Sequence, residues 1–295
     1  MPSTFGRCAM KKVAIVTDST SCLPPELVEK YGITIVPLVV VYEGKDYRDG
    51  IDMSPNEVYK IMRRRENLPT TSTASTGDFV EVYRKLSREA ESILCITLTG
   101  LQSKTFEAAS AAKEVAREEL PGTKIEVFDS RSVAGALGFI VREAAQVASQ
   151  GSGLGEALKA AREMMDRVNF LAMLDTLYYL ARLGRVGRAA AWVGSVLDMK
   201  PVLEHNPAVG ETMPVARPRT KTKAVECMLK IMEERVGSSK VHVMVHHADE
   251  SEEARKLAAE IESRFNCVEM YITEFTPVMG VHCGPGLLAI GFYAD

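Results

Sequence analysis

Short apolar runs that alternate with helix-forming stretches constrain this chain more than any other feature. Residues 13–17 (Val-Ala-Ile-Val-Thr) and 93–97 (Ile-Leu-Cys-Ile-Thr) read as strands buried on both faces, and residues 33–41 and 125–128 as further strands. Between them stand helix starts. Pro24-Pro25-Glu26 places proline where a first turn tolerates it. Ser54-Pro55-Asn56-Glu57 and the span from Ser75 to Asp78 are capping boxes, and an Ala-rich helix is expected over 103–119. Alternating strand and helix is what a parallel sheet with helical crossovers requires.

The glycine- and serine-rich stretch 149–155 is the best linker or turn. Beyond it a helix is expected, then a strand at 170–174 and two helical stretches around an arginine-rich turn. Strands at 241–245 and 267–272 follow, with a helix at 252–265 between them and a last strand at 287–293. The expected organisation is an N-terminal extension (1–10), an α/β lobe over 11–150 and a second α/β lobe over 151–295, facing a shared cleft.

Charge and cysteine usage exclude several classes. A formal net charge of −3 across 295 residues gives no broad positive field, so no nucleic-acid partner is expected. The six cysteines show no C-x-x-C pair and fit neither a zinc pattern nor a disulfide scaffold. The N-terminus carries no apolar signal core and no apolar run reaches a membrane span, so a reduced, cytoplasmic protein is expected, with at most transient membrane contact. His246-His247 with Asp249 do not read as a metal site, because neighbouring side chains on a strand face opposite ways. Neither a Walker loop nor a dinucleotide fingerprint is present, so no cofactor is expected.

Three local constellations carry chemistry. Residues 70–76 hold six hydroxyl side chains in seven positions, and Thr97-Leu98-Thr99-Gly100 ends a strand just before a helix. Hydroxyls at strand ends and helix N-termini suit an anion, although caps and turns would explain them too. His282 stands in Gly280-Val-His-Cys-Gly-Pro-Gly286, where glycines let a backbone approach a ligand, so the histidine is either a structural group or a binding one. Arg182, Arg185 and Arg188, with Arg217 and Arg219 farther on, suit carboxylate or phosphate partners or simply a solvated face.

Taken together these residues resemble the DegV family, whose members include the fatty-acid-binding subunits of bacterial fatty acid kinase. The landmarks are Val16-Thr-Asp-Ser-Thr20, Pro37-Leu38, Tyr47 with Asp49, Thr71-Ser72 ahead of Gly77-Asp-Phe79, Asp129-Ser130, Gly184-Arg185-Val186, Lys200-Pro201, and His282 with Gly284-Pro-Gly286. The resemblance implies a two-domain α/β fold, a parallel-sheet N-terminal lobe plus a C-terminal lobe, with one long-chain fatty acid between them. It implies that Thr71, Thr99, Gly100 and His282 meet the ligand carboxylate, with Ser72 and Ser19 nearby. It also implies that Arg185 and Arg219 face a partner, the fatty acid kinase catalytic subunit. That partner would supply ATP and phosphorylate the presented carboxylate, the carrier itself having no catalytic group.

Departures from the family pattern are Gly100 for a serine, Lys104 for a glycine, Thr73-Ala74 for Gln-Pro, Leu183 for a glycine and Cys283 for a threonine. Burying about fourteen methylenes at ~0.8 kcal/mol each would give on the order of 11 kcal/mol before ordering costs, so neutral head-group contacts suffice. His282 would donate to the carboxylate, with its charge state tuning release. Two other readings stand beside this one: a hydrolase or acyltransferase with Ser19 or Ser72 as nucleophile, His282 as base and Asp18 as orienter, and a lipid-responsive regulatory protein.

Overall fold

The computed structural model describes residues 10–194 and 199–295. Cys8 and the N-terminal extension, Met10 apart, lie outside the described residues. The chain opens with β1 (Lys11–Asp18), α1 (Pro25–Tyr31) and β2 (Thr34–Val36). A hairpin, β3 (Val39–Tyr42) and β4 (Lys45–Arg48), leads to α2 (Pro55–Arg64), β5 (Thr70–Ser72) and α3 (Thr76–Leu86). Then come β6 (Ala90–Thr97), α4 (Thr105–Glu119), β7 (Lys124–Asp129), α5 (Ala134–Ser149) and α6 (Leu154–Met165).

Strands β2, β1, β6 and β7 form a parallel sheet in that order. Their apolar runs are covered on both faces, as the unbroken burial of β1 from Val13 and of β6 from Ser92 shows. Both capping boxes form, Ser54 with Glu57 on α2 and Ser75 with Asp78 on α3. The single strand expected at 33–41 is two strands. Pro37 has no N–H to give a ladder, and the Leu38 N–H beside it donates to the Ser19 hydroxyl at 3.1 Å. A small antiparallel sheet, β4-β3-β5, stands apart and carries Thr71 opposite Val40.

The second half contains β8 (Asn169–Met173), the one-turn helix α7 (Tyr178–Arg182) and a hairpin of β9 (Val202–Asn206) and β10 (Glu211–Ala216). After these come α8 (Lys221–Val236), β11 (Lys240–His247), α9 (Ser251–Arg264), β12 (Asn266–Glu274), α10 (Pro277–Cys283) and β13 (Leu288–Ala294). The six strands lie in the order β10-β9-β8-β13-β11-β12, antiparallel except where β11 meets β12. Helices α8 and α9 cover one face of this sheet and bury a separate apolar cluster that includes Met228, Leu229 and Ile261.

Helix α5 joins the lobes. It packs against β1 on one side and against β8, β11 and β13 on the other, and nearly all of its first three turns are buried. Gly135 and Gly291 make this possible, since a Cβ on Gly291 would stand 2.9 Å from the Gly135 carbonyl carbon. The glycine turn near residue 150 links α5 to α6, which packs on β1 and β6. The chain therefore passes to the second sheet only at Asn169, one helix later.

Candidate ligand-binding site

Thr276-Pro277 starts α10 with proline at the first turn, and the helix ends at Gly284, whose φ of +76° suits glycine. His282 thus stands in the last turn of a helix. The glycines around it serve packing. A Cβ at Gly280 would meet the Tyr59 hydroxyl at 2.9 Å, and one at Gly284 would meet the Tyr179 ring at 2.2 Å. Asp49, 4% exposed, accepts the Val278 N–H at 2.9 Å and so fixes the start of the same helix.

At the far end of α10, His282 Nε2 lies 2.9 Å from Thr71 Oγ1. Strand β5 holds Thr71 there, and Arg182 holds β5, donating from its two terminal nitrogens to the carbonyls of Leu68 (2.6 Å) and Pro69 (2.8 Å). Burial, with the Arg185 charge adding to it, pushes the His282 pKa down to about 4, so the imidazole is neutral at neutral pH. A neutral imidazole and a hydroxyl carry one proton each. One proton makes their mutual hydrogen bond, and the other remains for an outside acceptor such as a carboxylate oxygen.

His282 of this pair lines a cavity between the lobes. Leu98 and Val133 come to it from the first lobe, Phe170, Leu203 and His205 from the second sheet, and Met279 with His282 from α10. Its wall is almost wholly apolar, the polar members being Gln102, Arg185, His205, Thr212 and His282. Its free volume is about 80 Å³, well below the roughly 300 Å³ at which ligand pockets begin. A large ligand would have to part these walls, and the unbranched Met279 is suited to yield.

Of the residues the sequence nominated for the carboxylate, Thr71 and His282 meet. Thr99 and Gly100 form no hydrogen bond to either of them and have partners of their own. The Thr99 hydroxyl, fully buried, donates to the Gly210 carbonyl at 3.0 Å in the turn between β9 and β10. The Gly100 N–H donates to Asp129 at 3.2 Å. Ser72 follows Thr71 on β5 and therefore points to the opposite face. Ser19 is buried beneath the site, accepting the Leu38 N–H and bonding Asp49, whose carboxyl is itself pushed upward by burial.

Nor does the nucleophile–base–orienter arrangement assemble. Asp18 accepts the Leu98 N–H at 2.8 Å and the Thr20 hydroxyl at 2.5 Å, and no hydrogen bond joins Ser19, Ser72 or Asp18 to His282. Burial raises the Asp18 pKa to about 6 and pushes the Cys283 thiol up to about 12, which keeps it protonated. The adjacent histidines of β11 face apart, His246 bonding Thr273 at 2.6 Å and His247 accepting from the Glu250 N–H at 3.4 Å.

The arginines divide. Arg185 donates to the carbonyls of Gln102 (3.0 Å) and Leu183 (2.6 Å) at the cavity wall, while Arg188 pairs with Glu211 at 2.8 Å. Arg217 lies over the Trp192 ring, and Arg219 is exposed. Lys104 pairs with Glu107 on an exposed helix face. Gln102, His205 and Thr212 were not singled out from the sequence; the last two lie on the β9–β10 hairpin, which was not assigned, and Gln102 bonds Thr212 from the loop before α4. The hairpin's signal was weak: the turn residues Pro207 and Gly210 stand between two short segments with little alternation.

None of the described helices is long and apolar enough to cross a membrane. Residues 12–295 match the family model described as "Uncharacterised protein, DegV family". A DegV domain-containing protein of Clostridium acetobutylicum is 34% identical over 96% of this chain and 98% of its own length. Protein DegV of Bacillus subtilis is 32% identical over 94% and 98%. Among solved structures, a fatty-acid-binding DegV family protein from Thermus thermophilus superposes with a TM-score of 0.88 at 30% identity, over 96% of this chain and all of that one (100%). DegV from Bacillus subtilis, a fatty acid binding protein, gives 0.87 at 30%, covering 97% and 100%. A stearic acid-binding protein from Eubacterium ventriosum gives 0.88 at 26%, covering 97% and 98%. The family match over residues 12–295, the identity to relatives along nearly their whole length and the superposition on their structures agree on one conclusion: the chain belongs to the DegV family.

Proposed function

We propose that this chain binds one long-chain fatty acid, with the carboxylate at Thr71 and His282 and the acyl chain between the lobes. The observation that carries the reading is the Thr71–His282 pair, a neutral donor site set beside an apolar cavity. Apolar burial supplies the affinity, and the pair fixes which end of the ligand faces out. Fatty acid binding by the Thermus and Bacillus relatives supports the same assignment.

On this reading the chain is a cytoplasmic carrier with no catalytic group and no cofactor of its own. A fatty acid kinase catalytic subunit docks over the exposed Arg185 and Arg219 and brings ATP. The carboxylate oxygen attacks the γ-phosphorus, ADP leaves, and an acyl phosphate forms. The test is hydroxylamine trapping after mixing lipid-loaded protein, such a kinase subunit and ATP. The expected result is a fatty acyl hydroxamate that Arg219→Glu, outside the cavity wall, diminishes while lipid content stays constant. Stable lipid binding with no hydroxamate would remove the kinase step and leave a carrier or lipid sensor.

A further inference from the structure

The cavity has a second set of polar side chains, with hydrogen-bond partners separate from those of the Thr71–His282 pair. His205 on β9 and Thr212 on β10 are directly opposed across the hairpin, and both line the cavity. Opposed residues on one face of an antiparallel pair hold their Cβ atoms about 4.5–5.5 Å apart. His205 is 2% exposed, and its Nε2 lies 3.0 Å from the Arg131 carbonyl oxygen. A carbonyl only accepts, so Nε2 carries the proton. Burial pushes the His205 pKa down to about 4, so the ring is neutral at neutral pH and Nδ1 presents a bare lone pair. That Nδ1 is buried and has no hydrogen-bond partner among the described residues.

Thr212 offers the complement. Its oxygen accepts from Gln102 Nε2 at 2.9 Å, and none of the described residues accepts its own proton. Two residues opposed in register therefore offer an acceptor and a donor at the cavity wall. A buried acceptor left without a partner is costly, and the group that satisfies both at once is a hydroxyl, which donates and accepts. A methylene would satisfy neither.

We propose that His205 and Thr212 form a subsite for a hydroxyl group carried on the acyl chain, so that the preferred ligand is a hydroxy fatty acid. The inference rests on the fatty-acid reading and adds a ligand class to it. Stearic acid and a positional series of monohydroxystearic acids distinguish the two, with dissociation constants measured by displacement of a bound fluorescent fatty acid. One hydroxy isomer is expected to bind wild-type protein roughly 3- to 10-fold tighter than stearic acid, the range that a net hydrogen bond supports. In His205→Leu that isomer is expected to bind more weakly than stearic acid, because its hydroxyl meets an apolar wall. Thr212→Val leaves the bond between His205 and Arg131 in place and is expected to lose the preference with the fold intact.

Binding of stearic acid equal to or tighter than that of every isomer would overturn the subsite, with a buried water serving Nδ1, and would leave the fatty-acid reading standing. Failure of all these acids to bind would overturn both.

Discussion

Thr71 Oγ1 and His282 Nε2, 211 positions apart in the chain, stand 2.9 Å from each other where β5 meets the last turn of α10. Substituting either removes one member of the donor pair and leaves the apolar cavity. Thr71→Val and His282→Ala are each expected to weaken fatty acid binding by roughly 10- to 100-fold, in line with about 1.5–3 kcal/mol for a hydrogen bond to a charged group. Calorimetric titration reads this directly. Unchanged affinity in both variants would place the carboxylate elsewhere.

Asp49 is expected to act on the same site from the opposite end of α10. Asp49→Ala leaves the buried Val278 N–H unsatisfied, at a cost of about 1–3 kcal/mol. Asp49→Asn keeps an oxygen in the same place and should recover most of that loss. Urea denaturation measures the stabilities, and the His282 imidazole resonances report whether the helix end has moved. Equal stability of the Ala variant and wild type would show that the contact contributes nothing.

Buried neutral histidines set the response to acid. Burial lowers the pKa of His205 and His282 to about 4 and that of His246 to about 3, from an ordinary value of 6.5. Each is protonated in the unfolded chain before it is in the folded one, so its stabilising contribution is complete above pH 6.5 and is lost as the pH falls toward 4. Asp18 works the other way. Raised from 3.8 to about 6, it favours the folded state as the pH falls below 6 and offsets part of the loss. Stability is therefore expected to decline from pH 6.5 downward, and His246→Gln should flatten the slope by ~1.4 kcal/mol per pH unit between 6 and 5. Melting curves across that range check it, and a slope unchanged in His246→Gln would contradict it.

Gly284 and Gly44 both adopt positive φ, +76° and +73°, yet only Gly284 has a neighbour where a side chain would go. Gly284→Ala brings a Cβ to within 2.2 Å of the Tyr179 ring, whereas Gly44→Ala meets nothing within 4 Å. The first is expected to cost about 3 kcal/mol or more, and the second about 1 kcal/mol from backbone strain alone. Comparable urea midpoints for the two variants would mean that Tyr179 moves aside freely.

The parallel sheet was legible because β1 and β6 are unbroken apolar runs and α2 and α3 begin with capping boxes, features decided within ten residues of chain. Thr71 and His282 were legible as separate candidates. Their contact was not, since it depends on β5 pairing with β3 and on α10 docking against both. The glycines around His282 suggested a loop open to ligand. What they accommodate is Tyr59 and Tyr179, aromatic rings brought in from elsewhere in the fold. Thr99 was legible as a hydroxyl at a strand end, whereas its bond to the Gly210 carbonyl, in a hairpin more than a hundred residues away, was not. The hairpin itself went unread because β9 and β10 are short and only half buried on β10, which left little period-two pattern.

The most direct measurement is native mass spectrometry of the purified protein, followed by organic extraction and identification of what is released. One fatty acid per chain is expected, its occupancy reduced in a Thr71→Val, His282→Ala double variant that melts at the wild-type temperature under ligand-free conditions. Protein that carries no lipid and takes up none when offered a panel of long-chain acids would contradict the account.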